Sequence, residues 1–164
     1  MKTALKAATI LSWINLIIGG ILVLSGLFSM LMAPNVMLML ISVVLTGSIV
    51  LHSYATLQLR KSIINPDIPL SSQTSSGIRL VGFMAMFFAM LNIGNAVVII
   101  QNAEEAVKQI ELPFKPEGFN LAKAVRIIGM ISLIFSIGIA ANVMLSFRLL
   151  RWYLISRQEK NGEK

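Results

Sequence analysis

One histidine stands in this chain, His52, inside the run LHSYATLQLRKS. An imidazole titrates near neutrality, so His52 is the side chain best suited to move or sense a proton. The other strongly polar side chains inside long apolar runs are asparagines, chiefly Asn15, Asn92 and Asn142. At a helical rise of 1.5 Å per residue, His52 lies roughly 12 Å from Arg60, Asn142 roughly 9 Å from Arg148 and Asn15 roughly 14 Å from Lys6. Asn15, His52 and Asn142 therefore share a depth at which one hydrogen-bonded cluster could form. Asn92 and Asn95 lie further from the basic ends.

Two chemistries compete for His52. A proton- or ligand-sensing site uses its titration. A packing role uses the neutral ring to donate and accept hydrogen bonds with Asn or Ser across helices, worth ~0.6–2 kcal/mol each in a membrane. The second is the expectation, because acid–base work needs a partner. No Asp, Glu, Lys or Arg falls mid-run in any apolar segment, and there is no cysteine. No G-x-S-x-G, H-E-x-x-H or Walker pattern appears. The sequence thus assigns no catalytic residue, no cofactor and no metal ligand, and the chain is expected not to be an enzyme.

The elements that hold these residues follow from composition. The chain has 164 residues, 56% of them hydrophobic and 13% charged. Soluble domains carry roughly 25% charge, so the solvent here is largely lipid. Four runs are long enough for the ~20 residues that a spanning helix needs: about 5–32, 36–59, 78–100 and 125–154. Together they make one four-span membrane domain over 1–164. The first run follows Lys2 and Lys6 as a signal peptide would, but its apolar part is far too long for one.

Basic residues set the orientation. Lys2, Lys6, Arg60, Lys61, Arg79, Arg148, Arg151, Arg157, Lys160 and Lys164 fall on one side, with Asp67, Glu159 and Glu163. Lys108, Lys115, Lys123 and Arg126 fall on the other, balanced by Glu104, Glu105, Glu111 and Glu117. The first side is expected to be cytoplasmic, with both termini on it, in a plasma membrane of the bacterial inner-membrane kind. The pI near 10.2 thus reflects topology, and nucleic acid is not an expected partner. Arg60, Lys61, Arg148, Arg151 and Arg157, beside Trp152 and Tyr153, are candidate contacts for anionic lipid headgroups.

Between spans, "APN" at 33–35 reads as a tight turn and residues 60–79 as a Pro- and Ser-rich connector. Beyond the third span, Glu104 precedes Lys108 by one helical turn, so a helical extension is expected over about 101–112, ended by Pro113 and Pro116. The segment 101–120 is a candidate docking surface for an extracytoplasmic partner.

Helices in lipid associate through close packing and polar contacts, which favours small residues at interfaces. Each span has such a stripe: Ser12, Asn15, Gly19, Leu22, Gly26, Ser29; Ser42, Thr46, Ile49, Ser53, Thr56; Gly82, Ala85, Ala89, Asn92, Ala96; Gly129, Ser132, Ser136, Ile139, Val143. The 3-4 spacing predicts an all-α, antiparallel, left-handed four-helix bundle. Gly19 and Gly26 mark one packing face. Gly138, Asn142 and Ser146 form a second line on the fourth span, a candidate face for a partner subunit or a second copy. An echo between "INLIIGGILVL" and "LNIGNAVVII" is too slight to establish duplication.

These features point to a non-catalytic accessory or scaffold subunit of a larger membrane assembly. The competing expectation is an oligomeric channel for a small neutral solute, with a polar path near Asn15, His52, Asn92 and Asn142. An intramembrane enzyme ranks last.

Overall fold

The computed structural model describes residues 1–30, 36–108 and 120–162. Four long helices dominate: α1 Lys2–Met30, α2 Val36–Ile64, α3 Ser72–Gln101 and α5 Leu121–Gly162. A short α4, Ala103–Lys108, follows α3. Each long helix contains a stretch apolar and long enough to cross a membrane. At 42 residues, α5 extends roughly 63 Å, about twice the hydrocarbon thickness.

The helix ends have local causes. Pro66 disfavours helix at Asn65, and α2 stops at Ile64 with a closing turn from the Asn65 amide to the Lys61 carbonyl, 2.9 Å. Ser71 caps α3, its Oγ accepting from the Thr74 amide at 3.0 Å. Asn120 does the same for α5 through the Lys123 amide, 2.9 Å. The connector read as residues 60–79 is therefore mostly helix, and only 65–71 leaves it. The extension expected over 101–112 is interrupted. Asn102 leaves helical geometry at φ −113°, ψ 33°, and α4 restarts beyond it with Ala103 buried. The turn at 33–35 and the prolines at 113 and 116 lie outside the described residues.

The long helices form a ring in which α1 packs on α2, α2 on α3, α3 on α5 and α5 back on α1. Neighbours run antiparallel: Gly19 meets Ile49 and Val50, whereas Gly26 meets Val43. The start of α1, the close of α5 and the 65–71 connector share one end, here the terminal end. There Ala8, Leu59, Ile78, Leu149, Leu150 and Tyr153 draw on all four helices for one core. A second core, at mid-length, joins Ile49, Ala85, Ala89, Ile139 and Val143. In the most apolar window of each helix, only 17% to 28% of the residues are buried. The remaining faces, including Ile10, Ile17, Phe83, Ile128 and Ile134, need an apolar solvent, which water is not.

The small-residue stripes hold best where the ring is closed. Ser12, Asn15, Ile49, Ser53, Thr56, Ala85, Ala89, Ser136, Ile139 and Val143 are all buried. Towards the far end the stripes are less fully covered. Leu22 is 39% exposed there, and Thr46 turns its hydroxyl onto its own helix, donating to the Ser42 carbonyl at 2.8 Å.

Candidate functional site: a polar spine on the last helix

α5 presents a polar group to a different neighbour at each level. Nearest the far end, Asn92 of α3 donates through Nδ2 to Ser132 Oγ at 3.0 Å and to Ser136 Oγ at 2.7 Å. Ser136 in turn donates to the Ser132 carbonyl, 2.8 Å. One level down, Ser12 of α1 donates to Asn142 Oδ1 at 3.2 Å. One turn further, Ser146 meets Thr56 of α2, with 2.9 Å between hydroxyl oxygens. Thr56 also reaches the His52 carbonyl at 2.9 Å, and Ser146 the Asn142 carbonyl at 2.7 Å. Two hydroxyl protons serve these three contacts, so they cannot all be made at once.

At the terminal end the spine closes on the connector. Tyr153 Oη accepts from the Leu70 amide at 2.9 Å. Arg157 lies over the Tyr153 ring, 5.6 Å from its centroid, and donates to the Pro66 carbonyl at 3.4 Å. Of the candidate lipid contacts, Arg60, Lys61, Arg148 and Arg151 are exposed, whereas Arg157 is engaged within the chain.

His52 is buried but stands apart from this spine. It sits in a notch between α3 and α5. A Cβ on Gly82 would fall 2.8 Å from His52 Cε1, 2.9 Å from Nδ1 and 2.7 Å from Phe147 Cε1. The Phe147 ring meets the imidazole edge-on, with centroids 6.2 Å apart at 90°. Ile78 lies alongside through its backbone, yet neither ring nitrogen reaches hydrogen-bond geometry with any described group. The same holds for Ser53 Oγ and Asn142 Nδ2.

The three-residue cluster read from depth alone therefore does not assemble as expected. Asn15, His52 and Asn142 are all buried, but Asn142 pairs with Ser12 and His52 with no polar side chain. Helical depth fixes the height of a side chain and leaves its azimuth open; the notch at Gly82 turns the imidazole towards α3 and Phe147. The line Gly138, Asn142, Ser146 also differs from a free partner face. Asn142 and Ser146 are fully buried against α1 and α2, and Gly138 lies near Leu11 of α1. Gly19 and Gly26 do pack, closely, against α2.

Sequence reasoning placed Gly82 and Tyr153 only as a stripe member and an interface marker. The signal for Gly82 is the absence of a side chain on a helix facing the lone imidazole. Tyr153 gave no signal of its connector bond. Among the described residues, no three His, Cys, Asp or Glu side chains come together as metal ligands. Near the far end, Glu104 and Asn120, both within the candidate docking segment, share a groove with Lys123 and Arg126. Most of that segment, 109–119, lies outside the described residues.

No protein-family model matches this chain, and no curated protein or solved structure matches it either. The site must be read from its own geometry.

Proposed function

We propose that this chain is a non-catalytic multi-pass membrane protein that serves as an accessory or scaffold subunit of a larger assembly. Its setting is a bacterial inner membrane, both termini cytoplasmic, with the bundle left-handed. One observation supports this reading above others: the polar groups of α5 meet Asn92, Ser12 and Thr56 of the same chain. Polar capacity at membrane depth goes mainly into holding the helices together. The wide apolar faces left outside suit lipid and partner helices alike, and α4 with the segment beyond it provides an extracytoplasmic docking surface. Solubilisation of the tagged chain from its native host in mild detergent, followed by mass spectrometry, tests this. A stoichiometric membrane partner is the expected result, and a bare homo-oligomer would overturn the reading.

A second reading rests on the unpartnered atoms of His52, Ser53 and Asn142. Such groups are costly in an apolar interior, and a passing solute or water would satisfy them in an oligomeric pore. Flux into proteoliposomes that is unchanged by His52→Leu and Asn92→Leu would end it. Reporter fusions at the C-terminus and at residue 110 check the sidedness.

A further inference from the structure

A groove opens between α3 and α5 at the terminal end, lined by Arg79, Phe147, Leu150, Arg151, Leu154 and Ile155, with a volume of about 500 Å³. That volume lies within the ordinary range for small-molecule sites. We propose that it binds one anionic phospholipid, with Arg79 and Arg151 holding the phosphate and an acyl chain lying along Phe147, Leu150, Leu154 and Ile155. This goes beyond the scaffold reading and does not depend on it.

Three observations favour this occupant. The two cations come from different helices yet line one groove, and no carboxylate is among the lining residues. Guanidinium is always charged, and its planar fork matches phosphate oxygens in pairs. The rest of the lining is apolar, with Leu150 fully buried at its base. A free phosphate has no use for such a floor, but a lipid at the membrane boundary presents charge and hydrocarbon together, in that order. The nearby Arg157 is drawn away by Tyr153 and Pro66, so the site is narrower than the basic patch around it. Arg79 is the residue that composition alone does not single out, because it belongs to α3 and meets Arg151 only through the packing of α3 on α5.

The test uses the purified full chain in maltoside detergent, with lipid retention read by native mass spectrometry. One dioleoyl-phosphatidylglycerol per chain is expected, with dioleoyl-phosphatidylcholine retained far more weakly. Removing both charges, Arg79→Gln with Arg151→Gln, should weaken phosphatidylglycerol binding about 30-fold, at about tenfold per 1.4 kcal/mol and one such charge per kcal/mol. Lys2→Gln with Lys6→Gln removes as much charge at the same end but outside the groove and should change binding by no more than about twofold. Equal losses in the two double variants would mean diffuse attraction to a basic surface and would overturn the site. Ile155→Gln should weaken the diacyl lipid, and glycerol 3-phosphate, which lacks chains, should not compete. Full competition by glycerol 3-phosphate would overturn the apolar half of the proposal. If the Gln pair does not fold, Arg79→Lys with Arg151→Lys keeps the charge and loses the fork; binding as tight as the parent's would then count against phosphate recognition by the two guanidiniums.

Discussion

Asn92 and His52 are both polar residues on mostly apolar helices, and the bundle treats them in opposite ways. Asn92 is bound by two serine hydroxyls of α5 through one amide nitrogen. His52 is held by shape, in the space that Gly82 leaves and against the edge of Phe147. A polar residue at membrane depth is a functional candidate by default when it is ionisable. The contrast shows that polarity in a span has at least two structural uses. One locks two helices with hydrogen bonds. The other fills a gap with a flat ring whose nitrogens stay unpaired.

The largest effect should come from filling the notch. Gly82→Leu puts a branched side chain where a bare Cβ already lies under 3 Å from two rings, and should cost about 3 kcal/mol in a detergent unfolding titration. Adding His52→Ala should return more than half of that loss, because it vacates the space. Simple additivity of the two losses would mean that Gly82 and His52 are not coupled. Asn92→Leu comes next. It removes two hydrogen bonds and leaves Ser132 and Ser136 without their donor, a loss of about 1–2 kcal/mol. His52→Leu should shift stability by less than about 1 kcal/mol, towards the more stable side, since no hydrogen bond is lost and an unpaired buried group is removed. A loss as large as that of Asn92→Leu would place a hydrogen-bond partner on His52 and collapse the comparison. Ser12→Ala, at a long 3.2 Å contact, should cost only about 0.5 kcal/mol. It sharpens the scale on which the others are read.

Hydropathy was enough to locate four helices long and apolar enough to span a membrane, because lipid demands a continuous apolar run. It was not enough to end them. α2 runs on to Ile64 and α3 starts back at Ser72, since backbone hydrogen bonding continues past the apolar stretch until Pro66 and Ser71 interrupt it. The stripes located Ser12, Ala85, Ala89 and Ser136 correctly on buried faces, as close packing in lipid requires. They failed for Leu22, which is exposed, and for Thr46, whose hydroxyl satisfies itself on its own helix. The polar partners were the least readable. Pairing Asn142 with Ser12 rather than His52 depends on rotation about each helix axis, and one sequence carries depth far better than rotation. Arg79 and Arg151 were visible only as charges for the same reason.

The bond between the Leu70 amide and the Tyr153 hydroxyl spans 83 positions. During synthesis at about 5–20 residues per second, the connector waits roughly 4–17 s for the tyrosine that fastens it. α1, α2 and α3 all leave the ribosome before the clasp exists. The α2–α3 connector therefore lacks this fastening until most of α5 has been made.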